Sequence, residues 1–271
     1  MQTNCPPSPL AGFPPAMQTP AIKVSHGAKG MIPRRLRSTL YPLRRYYYPI
    51  IRRNIQPPQP EGSARLLYQN YISRDDIVVE VGARIGGGTL LLSELAGHVY
   101  SFEPVKFSFR MLKMYAGGRE NVSLFNLAVG DRNIRTLINL PETQDFPFVA
   151  SIKKLADFEY RQRQKVVMVK LDDILFPLEP TSLIVDCEGS EIEVLLGAKS
   201  LLRKLRTVLI ETHRLSDGSE TLERVVSILS KASDYFSFDV RKDFVDEDGR
   251  TWVIASRRYM LPLKIPRGKN V

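Results

Sequence analysis

Two acids flank a short run of glycines with a spacing that suits the binding of a nucleoside. Glu80 and Gly82 end an apolar run, Gly86 follows four residues later, and Glu103 lies 21 residues beyond Gly82. A glycine turn lets a strand pass directly into a helix, and a carboxylate about 20 residues further on accepts hydrogen bonds from ribose hydroxyls. The spacing therefore predicts a nucleotide-binding turn at the carboxyl end of a buried strand.

The glycine spacing also distinguishes between two cofactors that use such a turn. Dinucleotides need G-x-G-x-x-G because a pyrophosphate rests on bare backbone amides, whereas Gly82 and Gly86 give G-x-x-x-G. Glu80 would repel a pyrophosphate and instead suits the cationic amino group of S-adenosylmethionine. The pattern favours S-adenosylmethionine over NAD. A purely structural turn without a ligand is the third alternative, and the paired acids argue against it.

A second group of polar residues supplies candidates for catalysis, namely Asp186, Glu188, Glu211 and His213. Each comes at or just after the end of a run predicted as a strand, and the carboxyl ends of parallel strands meet at one edge of the sheet. A hydroxyl that accepts a methyl group must lose a proton, which imidazole or carboxylate can take. His213 fits equally well as a strand-end histidine with a satisfied hydrogen bond.

The three carboxylates of this group are also suitable ligands for Mg²⁺ or another hard cation. Two simpler roles account for two of them: Asp186 can orient the cofactor, and Glu188 can cap the helix that follows at Gly189. A divalent metal is therefore possible but not favoured, and the sequence leads us to assign no metal ligands.

Short apolar runs that alternate with helical patterns must position these residues. Wholly apolar strands between helices predict a parallel sheet buried on both faces, and a closing pair around Asp-Glu-Asp-Gly predicts one antiparallel edge strand. The fold class is thus α/β, a Rossmann-like, mostly parallel seven-stranded sheet with helices on both faces. The predicted helices are 62–72, 88–95, 105–116, 189–204 with a break near Gly197, and 219–231. The predicted strands are 77–81, 98–102, 122–129, 166–170, 182–186, 207–211, 235–241 and 251–257, with a less regular region at 131–165.

The positive charge of the chain is concentrated in its first part. The net charge is +10 over 271 residues, and residues 1–60 contain nine Lys or Arg and no Asp or Glu. The Pro-rich tail 1–30 cannot bury enough surface to fold and is predicted to be disordered. Residues 31–60 form a basic aromatic arm and linker. Its part 31–56 either contacts an anionic membrane surface or polyanion, or packs on the domain with its Arg residues in water.

The remainder, 61–271, is predicted to be one catalytic domain. No run of 18 apolar residues is present, the first residues lack the apolar core of a secretory signal, and the two cysteines lie far apart. These features predict a cytoplasmic protein, with peripheral membrane association through the arm as an option.

Taken in order, the motifs make the chain resemble the FkbM-type family of class I S-adenosylmethionine-dependent methyltransferases. The resemblance extends over about residues 70–215, and the segment from Asp186 to Ala198 is its most specific part. The matching motifs are acid-x-Gly-Ala-x-x-Gly at 80–86, Glu-Pro at 103–104, Asn-x-Ala-x-Gly-Asp at 126–131, Leu-Asp-Asp at 171–173, Asp-x-Glu-Gly-x-Glu at 186–191 and Ile-Glu-Thr-His at 210–213.

The resemblance implies the class I methyltransferase fold, S-adenosylmethionine as cofactor, and O-methylation of a small molecule, sugar or glycolipid. The chain departs from the family pattern at Arg84, where a small polar residue is usual, and at Val185 and Cys187. Arg84 adds a cation beside a cationic cofactor, or contacts the cofactor carboxylate or a substrate anion. The implied cofactor-binding residues are Glu80, Gly82, Ala83, Gly86, Glu103, Pro104, Asn126, Ala128 and Asp186.

Other functions remain open at this stage. The basic arm is compatible with an RNA or protein methyltransferase, whose binding would weaken with salt and with removal of residues 1–60. A non-catalytic membrane- or polyanion-binding module would lack cofactor affinity. An NAD-linked oxidoreductase is the least favoured, because the pyrophosphate fingerprint is missing.

Overall fold

A computed structural model of the chain describes residues 57–60, 62–141, 150–153, 160–233, 239–245 and 251–256. The predicted tail 1–30 and the arm 31–56 lie outside these ranges, so the interpretations of both stay predictions. Within the described ranges, no helix has the length and apolar character needed to cross a lipid bilayer.

The main sheet has seven strands, and five of them run parallel as predicted. The parallel strands are β1 (Ile77–Val81), β2 (His98–Phe102), β3 (Val122–Phe125), β7 (Ser182–Val185) and β8 (Thr207–Thr212), and the sheet is completed by β9 (Asp239–Val245) and β10 (Thr251–Ser256). Their spatial order is β3-β2-β1-β7-β8-β10-β9. The order reverses between β1 and β7, which creates the crevice where open α/β sheets bind ligands.

The antiparallel strand is not at the edge of the sheet, where the sequence placed it. β10 pairs antiparallel with both β8 and β9, so it occupies the next-to-last position and β9 forms the edge. β10 is buried along most of its length, with Trp252 almost fully enclosed. Its apolar side chains stabilise an interior position, because both faces of the strand are covered. The fold class itself is as predicted.

Six α-helices are described, and they pack on both faces of the sheet. Val79 and Val81 of β1 face a core that includes residues of the helices after β7 and β8, whereas Val78 faces a core formed with the first two helices. Burying one such side chain stabilises the fold by about 1.5–3 kcal/mol. The helices are α1 (Gly62–Tyr71), α2 (Gly87–Leu95), α3 (Lys106–Ala116), α4 (Glu191–Leu196), α5 (Lys199–Leu202) and α6 (Leu222–Ser233).

The predicted break near Gly197 separates α4 from α5. A Cβ atom at Gly197 would lie 1.9 Å from the carbonyl oxygen of Gly130, so only glycine permits this approach. The break therefore has a packing cause, because it brings the chain against the loop that follows β4 (Ala128–Val129).

The region 131–165 was predicted to be irregular, and that prediction was wrong. It contains β5 (Ile134–Pro141) and most of β6 (Tyr160–Val169), which pair antiparallel and join β4 in a second, three-stranded sheet. The predicted strand 122–129 is likewise divided between the two sheets. The pattern hid these strands because apolar residues such as Ile138 and Leu137 lie on opposite faces, one buried and one exposed.

The side chain of Asn133 joins the β5–β6 pair to the segment that follows β6. Asn133 donates from Nδ2 to Oδ2 of Asp173 at 2.6 Å and accepts at Oδ1 from the backbone amide of Lys170 at 2.9 Å. Both contacts connect the residue before β5 with residues that follow β6. At the other end, residue Ser151 forms an isolated bridge with Asn139 of β5.

Candidate active site

The loop after β1 packs directly on the loop after β7 because Gly82 has no side chain. Gly82 has φ 91°, and a Cβ atom there would lie 1.7 Å from the carbonyl oxygen of Asp186. The glycine therefore serves the contact between two chain segments rather than contact with a ligand alone. Gly86, with φ 101°, faces Leu112 of α3 instead of the strand. The two glycines fix the path of the loop between them.

Glu80 is buried at the end of β1 and is held by two hydroxyl groups. Thr89 donates to its Oε2 at 2.5 Å and Ser101 donates to the same oxygen at 2.7 Å. Burial raises the pKa of the Glu80 carboxyl to about 7, against the opposing effect of these two hydrogen bonds. A carboxylate in this state is stabilised by a cation, so a positively charged ligand would find a matched partner here.

Glu103 follows β2 and lies on the neighbouring side of the same loop. Its Oε2 accepts from the backbone amide of Arg84 at 2.9 Å, and its Oε1 accepts from that of Val105 at 2.7 Å. Burial raises the pKa of Glu103 to about 8, although the hydrogen bonds from the two backbone amides lower it. Each oxygen keeps a further lone pair, so the carboxylate can still accept from a ribose hydroxyl.

Two neighbouring cavities share the loop after β1, with Val81, Gly82, Arg84 and Asp186 lining both. The smaller cavity has a volume of about 40 Å³. It is lined by Glu103, Pro104 and Ala128 of the predicted cofactor-binding residues, and by apolar residues of β2 and β5. The larger cavity has a volume of about 240 Å³ and is lined by Glu80 and Ala83. The predicted cofactor residues that line either cavity are Glu80, Gly82, Ala83, Glu103, Pro104, Ala128 and Asp186.

The structure does not bring every predicted cofactor residue to a cavity. Gly86 packs on α3, and Asn126 donates from Nδ2 to the carbonyl oxygens of Glu103 at 2.8 Å and Pro104 at 3.1 Å. Asn126 therefore braces the turn that carries Glu103. Contact of these two residues with a cofactor stays a prediction.

The segment just before α1 was predicted to be part of a linker. Pro58, Gln59 and Pro60 instead line the larger cavity. A Cβ atom at Gly87 would lie 2.8 Å from the carbonyl oxygen of Gln59, so this segment passes directly over the start of α2. The described part of the linker therefore forms a wall of the candidate site.

The four predicted catalytic residues lie together at the ends of β7 and β8, with His213 at their centre. Its Nε2 atom lies 3.3 Å from Oε2 of Glu188, 3.9 Å from Oδ1 of Asp186 and 3.9 Å from Oε2 of Glu211. Its other ring nitrogen, Nδ1, lies 2.8 Å from Oε1 of Glu191. The side chains of Glu188, Glu191 and His213 are almost fully buried.

The charge state of His213 does not suit the predicted role of base. Burial lowers the pKa of its imidazole, but the neighbouring charges of Glu191, Glu188 and Asp186 outweigh burial and raise the pKa to about 10. In the absence of another cation the ring is therefore protonated at neutral pH, and it has no lone pair with which to take a proton. The carboxylates around it are the remaining acceptors.

Glu188 does not cap the following helix, which was one of the two roles weighed for it. Its backbone is left-handed, with φ 54°, and its carboxylate forms an ion pair with the guanidinium of Arg84. The helix start is served by Glu191, whose Oε1 accepts from the amide of Gly189 at 2.8 Å. Arg84 also lies 3.7 Å from Oδ2 of Asp186, so its charge is directed at the acidic cluster.

Three residues of the site were not singled out from the sequence. Glu191 was quoted only as part of a motif, yet it holds the ring of His213. The hydroxyl of Ser151 donates to the backbone carbonyl of Glu188, which links the β5–β6 pair to the acidic cluster. Tyr68 of α1 lines the larger cavity. The motif position of Glu191 was a usable signal, whereas no local pattern pointed to Ser151 or Tyr68.

Comparison with known proteins gives one family and a set of related folds. The model of the methyltransferase FkbM domain matches residues 80–236, and no curated protein matches the chain. A crystal structure of methyltransferase FkbM from Methylobacillus flagellatus is 19% identical with a TM-score of 0.50, over 73% of this chain and 48% of that one. The chain thus covers about half the length of that protein, and at this identity the likeness concerns the fold.

Two further solved structures have lower scores. Precorrin-6y C5,15-methyltransferase from Geobacter metallireducens is 13% identical, with a TM-score of 0.43, over 73% of this chain and 87% of that one. A Streptococcus mutans protein in complex with SAH is also 13% identical, with a TM-score of 0.40, over 72% of this chain and 96% of that one.

Proposed function

The chain belongs to the FkbM methyltransferases, and we propose that it uses S-adenosylmethionine to methylate a hydroxyl group on a small molecule, sugar or glycolipid. The observation that carries the proposal is the pair of buried carboxylates, Glu80 and Glu103, on the two cavities that share the loop after β1. Burial raises the pKa of both groups, so each is stabilised as a carboxylate by a ligand that offers a cation or hydroxyl donors.

The residues present fit the adenine, the ribose and the amino group of S-adenosylmethionine. Glu103 is placed to accept from ribose hydroxyls, and Phe102, Ala128 and Ile138 give an apolar wall for the adenine. Glu80 offers its charge to the amino group from the larger cavity. Bound S-adenosylmethionine would supply an electrophilic methyl group on a sulfonium, whose positive charge disappears during transfer.

The protein contributes mainly position and a proton acceptor. A hydroxyl that enters beside Asp186 meets the carboxylate of Glu188, which lines the smaller cavity and is ion-paired with Arg84. Glu188 takes the hydroxyl proton as the oxygen attacks the methyl carbon. With no metal ion bound, the protonated ring of His213 stabilises the carboxylate cluster during this step.

The test is isothermal titration calorimetry of the full chain with S-adenosylmethionine, with NAD as the control ligand. We expect micromolar binding by the wild type, at least tenfold weaker binding by Glu103→Ala, and no binding of NAD. Glu94→Ala removes an exposed carboxylate of the neighbouring helix and serves as the matched control. A folded wild-type protein that does not bind S-adenosylmethionine would exclude the proposal.

A nucleic-acid acceptor is the second candidate, and one observation favours it. The outer face of the β5–β6 pair exposes Arg135, Arg163 and Lys165, on the opposite side of the strands from Ile138, which lines the smaller cavity. This face would bind a polyanion or an anionic membrane surface, and the sequence of the arm 31–56 makes it a separate candidate for the same kind of contact. RNA binding that weakens steeply with salt and disappears without residues 1–56 would support this candidate, and salt-independent turnover of a small hydroxyl compound would exclude it.

A further inference from the structure

One nitrogen of the His213 ring forms a hydrogen bond, and the other faces carboxylates. Nδ1 is held by Glu191 at 2.8 Å. Nε2 is buried and has no hydrogen-bond partner in the described part of the chain, although carboxylate oxygens surround it. We propose that Asp186, Glu211 and His213 together bind one divalent transition-metal ion, with Glu191 holding the ring in position.

The distances suit such an ion. One ligand atom from each of the three residues lies within 4.8 Å of the others. Nε2 of His213 lies 3.9 Å from both Asp186 and Glu211, which falls between the separations of about 3.1 Å and about 4.4 Å for adjacent and opposite ligands around an ion at about 2.2 Å. A cation between the three atoms therefore needs little movement of the ligands.

Glu191 gives an observation independent of the acidic cluster. Metal-binding histidines usually donate their second ring nitrogen to a carboxylate, which fixes the tautomer and leaves Nε2 as the ligand. His213 and Glu191 have this relationship, and both are buried, His213 to more than nine-tenths. The sequence led us to assign no metal because simpler roles accounted for Asp186 and Glu188. Glu188, weighed there as a ligand, pairs with Arg84.

The ligand types select the class of metal. Two carboxylates alone would suit Mg²⁺, but an imidazole ligand favours Mn²⁺ and the later divalent ions over Mg²⁺. We therefore expect Mn²⁺ to bind more tightly than Mg²⁺. The ligands come from the ends of β7 and β8, which are neighbouring strands of the main sheet.

The role of the ion rests on the proposed function. An acceptor hydroxyl bound to the ion loses its proton more readily. The proton passes to Glu188, the oxygen forms a bond to the methyl carbon, and the electron pair of the broken carbon–sulfur bond stays on sulfur as a neutral thioether. The ion takes the place of the proton on Nε2, so His213 acts as a neutral ligand that donates from Nδ1 to Glu191.

Mn²⁺ titration of the metal-stripped full chain, followed by the electron paramagnetic resonance signal of free Mn²⁺, tests the site without any turnover. We expect one bound ion per chain, at least tenfold weaker binding by Glu211→Gln and by His213→Ala, and unchanged binding by Glu220→Gln. Glu220 is a matched control because it is an exposed acid that pairs with Arg214.

A second readout uses the wild type alone, in case the variants do not fold. Electron spin echo measurements on bound Mn²⁺ should show modulation from a coordinated imidazole nitrogen. A wild type that binds no Mn²⁺, or bound Mn²⁺ without that modulation, would overturn the site. S-adenosylmethionine binding measured in parallel separates this failure from failure of the proposed function, because neither ligand is needed to detect the other.

Discussion

The carbonyl oxygen of Asp186 lies only 1.7 Å from the position that a Cβ atom on Gly82 would occupy. The loop after β1 and the loop after β7 are therefore in direct backbone contact. Gly82 also has φ 91°, which disfavours any side chain.

Gly82→Ala should destabilise the protein by at least about 2 kcal/mol, because it combines a left-handed backbone with a clash against main-chain atoms. Thermal unfolding followed by circular dichroism measures the change. Gly118→Ala is the control, since a Cβ atom there meets nothing within 4 Å. Equal melting temperatures for the two variants would show that the loops do not approach as described.

Glu80→Gln should make the apo protein less sensitive to pH. The folded-state pKa of Glu80 is about 7 against an ordinary value of 4.5, so the native state binds more protons between these values and loses stability as pH rises through them. The loss amounts to at most about 1.4 kcal/mol per pH unit. Glutamine keeps the hydrogen bonds from Thr89 and Ser101 but cannot ionise. Melting temperatures from pH 4.5 to pH 8 should fall less steeply in the variant.

The same variant should bind S-adenosylmethionine at least tenfold more weakly at pH 8, where wild-type Glu80 is ionised. Glu94→Gln, a change on the exposed surface, is the control for both measurements. Parallel pH profiles of the variant and the wild type would contradict the burial of an ionisable group at this position.

Arg84→Gln should destabilise the protein by about 2 kcal/mol, because it leaves the buried carboxylate of Glu188 without the guanidinium that pairs with it. Denaturant unfolding at neutral pH measures the loss. Arg119→Gln removes an exposed partner of Glu94 and should change stability by less than about 0.5 kcal/mol. A large fall in S-adenosylmethionine affinity with no loss of stability would instead indicate that Arg84 contacts the cofactor.

Ser151→Ala should raise KM for the acceptor several-fold while the affinity for S-adenosylmethionine stays within about twofold, because Ser151 bonds the carbonyl of Glu188 and not a cofactor acid. Steady-state kinetics with an identified acceptor measures the first effect and calorimetry the second. Ser200→Ala changes an exposed serine of α5 and is the control. A change in cofactor affinity alone would contradict this assignment.

The local parts of the site could be read from the sequence. Glu80 and Glu103 belong to one strand–turn–helix–strand unit and make their hydrogen bonds within it. The contact of Gly82 with Asp186 lies outside this unit and could not be read from it. The apolar runs likewise predicted all five parallel strands of the main sheet, because a strand buried on both faces needs apolar side chains throughout.

The parts that depend on distant contacts could not be read in this way. His213 meets Glu191 across 22 positions, and Ser151 meets Glu188 across 37. The charge state of His213 could not be read for the same reason, since burial lowers the pKa of its ring and the carboxylates of Glu191, Glu188 and Asp186 raise it to about 10. The second sheet was missed because the exposed strand residues Leu137 and Val167 break the alternation that a one-sided strand would show.

The β5–β6 pair is fastened at its base by Asn133 and touches the acidic cluster through Ser151. These two attachments add to the pairing of β6 with β4 and to the hydrogen bond from Gln164 to the carbonyl oxygen of Pro104. None of these contacts involves the exposed side chains of Arg135, Leu137 and Lys165. That side of the pair can therefore change its sequence without disturbing the way the pair is joined to the main sheet.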